Sequence, residues 1–262
     1  MEAHATPGGS GLRVRFLGHA TLAVSLDGVT LLTDPLLRRR VVHLRHHALE
    51  APTLRHTPDA VLISHIHQDH LDFPSLKRIG RDVPVIVPPG AGRLLRRRGF
   101  PHTQELEAGE VTRVGEVEVT ATPARHHGWR PPFGPTAQCN GFVVAGSRRV
   151  YFAGDTDLFP EMLDLGPIDV ALLPVWGWGP TLGAGHLDPR SAAEALALIR
   201  PRIAVPIHWG ALFPLGLGRW RHHFLTRPPL RFAAYARRRA PDVDVRVLQP
   251  GETLFMPADP SP

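Results

Sequence analysis

The feature that most limits what this chain can be is the run Ser64-His65-Ile66-His67-Gln68-Asp69-His70-Leu71-Asp72. It follows directly on Ala60–Ser64 (AVLIS), a short apolar run of the buried-strand type. Residues two apart in an extended loop point the same way, so His65 and His67 can grip one ion. Asp69 and His70 stand one step further on and can face a second. Imidazole nitrogen with carboxylate oxygen suits Zn²⁺ and related divalent cations. One loop cannot complete two ions, so further ligands must arrive from elsewhere in the chain. The chain holds 16 histidines, which makes metal the first chemistry to consider.

The pattern around that run predicts alternating strands and helices. Strands are expected at Leu12–Leu17, Ala20–Leu26 and Val29–Thr33, the last two joined at Asp27-Gly28, a dipeptide suited to a tight hairpin. Residues 35–58 read as irregular. A helix from Pro74 to Ile79, a strand at Val83–Val87 and a helix from Gly90 to Arg98 follow. Hairpins are expected about Gly115 and about Gly146-Ser147, then a buried strand at Val170–Val175. Asp188 caps a helix opening at Pro189, in which Ala192, Ala195, Leu196 and Ile199 keep the spacing of one buried face. A strand at Ile203–Ile207, a helix at Pro228–Arg239 and a last strand at Val243–Leu248 complete the reading. Two sheets covered by helices are the expected architecture. One domain over residues 12–256 is expected, with loose tails at 1–11 and 257–262.

Composition removes several classes. Cys139 is the lone cysteine, so no disulfide scaffold forms within the chain. No stretch approaches the ~18 apolar residues of a membrane span. Residues 1–11 lack the apolar centre of a signal peptide, so the expected location is the cytoplasm. The net charge of +6 comes from arginine, since Lys77 is the only lysine, and the runs at 38–40, 96–98 and 237–239 read as solvated faces.

Three later segments end strands at metal-ligand residues: Pro123-Ala124-Arg125-His126-His127, Phe152-Ala153-Gly154-Asp155-Thr156 and Pro206-Ile207-His208-Trp209-Gly210. Together with the histidine run they make the chain resemble the metallo-β-lactamase superfamily. Leu17-Gly18-His19-Ala20-Thr21, Leu32-Thr33-Asp34-Pro35 and His186-Leu187-Asp188-Pro189 narrow the likeness. It is to the branch of N-acyl-phosphatidylethanolamine-hydrolysing phospholipase D and the bacterial ascorbate-phosphate lactonase. The resemblance covers residues 12–252 and implies an α/β fold, a four-layer αββα sandwich of two mixed sheets flanked by helices. It implies two divalent cations, Zn²⁺ first, with Mn²⁺ or Fe²⁺ as alternatives. His65, His67 and His126 would hold one, Asp69, His70 and His208 the other, and Asp155 would bridge them. His126 rather than His127 matches the Pro-x-x-His pattern of the family. Asp34 would orient a ligand histidine, and His186 would line the pocket.

The activity implied is a hydrolase using a hydroxide shared by two cations, with Asp69 keeping it oriented. His186 would contact the substrate or protonate the leaving group. A phosphodiesterase of the phospholipase D type is expected first. A lactonase or ester hydrolase on a phosphorylated or acylated small molecule is the alternative. The partner is then a small molecule or lipid; no nucleic acid is expected, and peripheral membrane contact and self-association stay open. Trp129, Trp176, Trp178 and Trp209 lie near the proposed ligands, where they either meet an acyl chain or sugar or pack at the edge of the core.

Overall fold

The computed structural model describes residues 11–46, 54, 56–178, 182–216 and 222–258. One seven-stranded sheet runs in the order Thr253–Pro257, Gly11–Gly18, Thr21–Leu26, Val29–Thr33, Ala60–Leu62, Val85–Val87, Thr103–Glu105. Its first four strands are antiparallel and its last three continue parallel to Val29–Thr33. The second runs Asp244–Val245, Ile203–Ile207, Val170–Pro174, Arg149–Phe152, Asn140–Ala145, Val117–Pro123, Val111–Val114. It too is parallel at one end and antiparallel at the other.

The inner faces share one core, in which Val14, Phe16, Leu22 and Val24 meet Val119, Phe142, Val144 and Phe152. The helix Pro189–Ile199 covers the second sheet with Ala192, Ala195, Leu196 and Ile199, the stripe its spacing predicts. The helices Phe73–Ile79 and Gly92–Arg97 bury Phe73, Leu76 and Leu95 against the first sheet. This is the expected architecture of two mixed sheets flanked by helices. The arginine runs are exposed throughout, as expected of solvated faces.

Several boundaries differ from expectation. The stretch 35–58 contains Arg40–Val41 and Leu44–His46, which pair into a small sheet with Leu212–Pro214. Each strand is too short to show periodicity, and the pairing is long-range. The last helix spans His222–Arg239, with Pro228 and Pro229 inside it. Leu225, Pro228, Phe232 and Ala236 form one buried face there, and that burial outweighs the hydrogen bonds the prolines cannot make. Asp244–Val245 is all that pairs of the expected strand 243–248. Thr253–Pro257 closes the first sheet instead, its alternation burying Leu254 and Met256. Gly11 lies opposite Pro257 in that pairing.

Candidate metal centre

The parallel strands of both sheets end at one place, and loops at carboxyl ends of strands are where α/β sheets build sites. Asp34 follows Val29–Thr33, the histidine run follows Ala60–Leu62, Asp155 follows Arg149–Phe152 and His208 follows Ile203–Ile207. His126 comes in beyond the end of Val117–Pro123.

Two sets of side chains converge. In the first, His65 Nε2 lies 2.9 Å from His67 Nδ1, and His126 Nε2 lies 3.1 Å from the same atom. In the second, His70 Nε2 lies 3.0 Å from His208 Nε2. Asp69 Oδ2 stands 3.6 Å from the first of these and 3.7 Å from the second. Asp155 reaches into this set, with Oδ2 3.3 Å from His70 Nε2 and Oδ1 3.3 Å from His208 Nε2. His127, the neighbour of His126, is exposed and turned away from both.

The outward nitrogen of each ring is held. His70 Nδ1 donates to Asp34 Oδ2 at 2.7 Å. The same carboxylate accepts from the Ser64 amide at 2.7 Å and the Ser64 hydroxyl at 2.5 Å. His65 Nδ1 donates to that hydroxyl at 3.0 Å. His126 Nδ1 donates to the Gly185 carbonyl and His208 Nδ1 to the Trp176 carbonyl, both at 2.8 Å. Each bond fixes the tautomer, so each inward nitrogen presents a lone pair. Lone pairs converging at about 3 Å repel unless a cation or proton lies between them. Tetrahedral Zn–N bonds of ~2.05 Å would set such nitrogens about 3.3 Å apart. Asp155 Oδ1 is buried and accepts no hydrogen bond among the described residues. Donor chemistry, fixed tautomers and that unsatisfied oxygen together fit a divalent cation pair.

Electrostatics agree. Burial alone would raise Asp155, but His208 and His70 outweigh it and hold the carboxyl well below the usual range. Burial likewise opposes the ionised form of Asp69, and His70 with the hydrogen bonds from His19 and His208 overcomes it. Burial would depress His70, yet Asp155, Asp69 and Asp34 raise it well above an ordinary histidine. His65, its ring 4.0 Å from that of His70, is lowered by burial and by His70 and His126, which outweigh the pull of Asp155. The surplus of buried negative charge thus draws a proton onto His70, the charge a cation would supply.

His19 carries a role that the motif Leu17–Thr21 did not reveal. Its Nε2 sits 3.0 Å from Asp69 Oδ2, and its ring lies 4.0 Å from that of His208. Burial and His208 push it down to about 3, so it is neutral and donates to Asp69. The signal for it is a histidine between Gly18 and Ala20 where an apolar strand ends. His19, Asp34 and His208 have φ of 56°, 33° and 59°, half of the non-glycine residues with positive φ among the described residues. Such backbones cost about 1–3 kcal/mol each and gather where the surroundings over-determine them. Gly154, at φ 60°, has a different reason: a Cβ there would lie 2.4 Å from the Ser64 Cβ and displace the Ser64–Asp34 relay.

His186 sits at the open side. Its Nδ1 donates to the Gly183 carbonyl at 3.1 Å, and its Nε2 faces Asp155 Oδ2 at 3.5 Å. Of Trp129, Trp176, Trp178 and Trp209, the last is core rather than rim, stacked on Phe16 and donating to the Pro206 carbonyl. Trp129 and Trp178 are exposed, and Trp176 is half-buried. Part of the loop 177–185 and residues 217–221 of the segment 212–225 lie outside the described residues.

Residues 30–209 match the family described as the Beta-lactamase superfamily domain. The chain belongs to the beta-lactamase superfamily. Among the relatives of this superfamily member is a UPF0173 metal-dependent hydrolase of Deinococcus radiodurans, 35% identical over 249 residues, 92% of this chain and 98% of that protein. The N-acyl-phosphatidylethanolamine-hydrolyzing phospholipase D 1 of Caenorhabditis elegans is 32% identical over 235 residues, 79% of this chain but 66% of that protein. Among solved structures, Igni18, a metallo hydrolase from Ignicoccus hospitalis, superposes with a TM-score of 0.74 at 25% identity, covering 94% of this chain and 99% of that one.

Proposed function

We propose that this beta-lactamase superfamily member is a two-metal hydrolase, and a phosphodiesterase of the N-acyl-phosphatidylethanolamine phospholipase D type. The observation that carries the hydrolase reading is the convergence of His65, His67 and His126 beside Asp69, His70 and His208, with Asp155 between the two sets. The likeness to the nematode phospholipase D supports the substrate class. Two divalent cations held there, Zn²⁺ first on the nitrogen and oxygen donors, supply Lewis acidity that acidifies water and neutralises charge growing on an attacked phosphoryl group.

The chain's own residues do the rest. Asp69 is held through Oδ2 by His19 and orients the attacking water. Asp34 and Ser64 lock His70 and His65 in the tautomers that face inward. His186, whose Nε2 faces Asp155 Oδ2 at 3.5 Å and whose side chain is 22% exposed, is the group that meets the leaving oxygen. With Nδ1–H given to the Gly183 carbonyl, Nε2 takes the proton released by the attacking water and passes it to that oxygen.

Purified protein is assayed on N-acyl-phosphatidylethanolamine micelles, a p-nitrophenyl phosphodiester and an acyl lactone. Phosphodiester cleavage is the expected result. Lactone cleavage alone would replace the phosphodiesterase by an ester hydrolase, and bound metal with no turnover would overturn the enzyme reading. His186→Gln is expected to lower kcat about 10²-fold or more on the alkoxide-leaving lipid. The nitrophenyl diester, whose leaving group needs no proton, should lose far less, with metal content unchanged. Loss of metal alongside activity would make His186 a ligand instead.

A further inference from the structure

The segment after His126 does more than carry that ligand. Trp129 bridges Thr136, the Arg130 amide donates to the Pro135 carbonyl at 3.0 Å, and the Gly134 amide donates back to the Arg130 carbonyl at 2.8 Å. The result is a closed loop lying on the turn of the histidine run. His67 hydrogen-bonds the Trp129 backbone, and Gln68 Nε2 donates to the Pro131 carbonyl at 2.8 Å. Arg130 reaches furthest. Its Nη1 donates to the Ile66 carbonyl and, at 3.1 Å, to the Leu71 carbonyl. Its guanidinium lies 5.5 Å from the centre of the Phe73 ring, which Arg98 also approaches at 4.9 Å. Ile66 and Leu71 are buried and bracket His67, Asp69 and His70, so one half-buried side chain grips both ends of the ligand-bearing turn.

We propose that Arg130 is a positioning residue for the three-histidine set, an inference that rests on the two-metal reading above. The nitrogens of His65, His67 and His126 point lone pairs at one another and drive the set apart when no cation is present. His67 and His126 stand on different loops, and Arg130 ties those loops together. Asp69 and His70 lie in the same turn, but His19 holds Asp69, Asp34 holds His70 and the Trp176 carbonyl holds His208, none of them through Arg130. Only the three-histidine set depends on Arg130 to keep two loops together, so loss of Arg130 weakens that cation more than the other.

The test titrates the full-length chain, stripped by a chelator, with Zn²⁺ in competition with a chromophoric chelator. Wild type taking two ions upholds the underlying reading. If it takes one, that reading fails, while the variant-to-wild-type ratio still judges the clamp. Arg130→Met is expected to weaken one ion about 10- to 100-fold, the usual range for a partner one layer behind the ligands, and leave the other within about threefold. Arg130→Lys, whose ammonium can donate to both carbonyls, should keep both ions within about threefold of wild type. Unchanged affinities in Arg130→Met, or equal weakening of both ions with a lowered Tm of the metal-free protein, would overturn the clamp. If Arg130→Met does not fold, Arg130→Gln, which can reach only one carbonyl, takes its place and is read by the same criterion.

Discussion

Asp155→Ala is expected to remove hydrolysis and metal loading together. The carboxylate is 3% exposed and faces His70, His208 and His186 at 3.3–3.5 Å. It stands close to both ligand sets, near His126 on one side and His70 and His208 on the other, whereas Asp34 meets His70 at its outward nitrogen. Its removal leaves His70 buried with less negative charge around it, so the field that draws a cation in is weaker. The loss of several kcal/mol of charge stabilisation corresponds to about 10³-fold or more in kcat. Metal content should fall from two ions per chain to one at most. Asp155→Asn keeps the shape and removes the charge, and is expected to fail nearly as badly. An Asp155→Ala protein with full activity or a full metal complement would refute the bridging role.

The metal-free protein should lose stability on either side of about pH 6.5. Burial pushes His19 down to about 3 and His126 to about 4, and it lowers His65 and His67 as well. In the unfolded chain all four titrate near 6.5. Between that value and about 4 the unfolded state therefore binds protons that the folded His19 and His126 refuse. Stability falls as pH falls there by up to about 1.4 kcal/mol per unit for each of these two, and His65 and His67 act in the same direction. His70 and His208 act oppositely: their folded values are raised, so their contribution is whole below 6.5 and is lost as pH climbs through those values. Urea unfolding of chelator-treated protein from pH 4 to 9 should trace a dome. Added divalent cation should flatten its alkaline side, because the cation replaces the proton on His70. A flat profile in the metal-free protein would contradict the burial of these rings.

The strands, the Asp188-capped helix and the ligand types at strand ends were legible in the chain because each is a local signal. Apolar runs set the strands, turn and cap residues set their limits, and a run holding three histidines and an aspartate within six positions has few other uses. Periodicity was silent on Arg40–Val41, Leu44–His46 and the upstream turns of the His222–Arg239 helix. There the burial of a distant partner overrides propensity.

Within the centre, the motifs alone named the side chains that converge: His65, His67, Asp69, His70, His126, Asp155 and His208, with Asp34 behind them. Folding alone decided how those groups work. It turned His126 inward and His127 out, set His19 against Asp69, buried Trp209 and laid Arg130 across the ends of the histidine turn. These are relations between side chains far apart in the chain, and their energies depend on distance and burial, which no spacing of residues encodes.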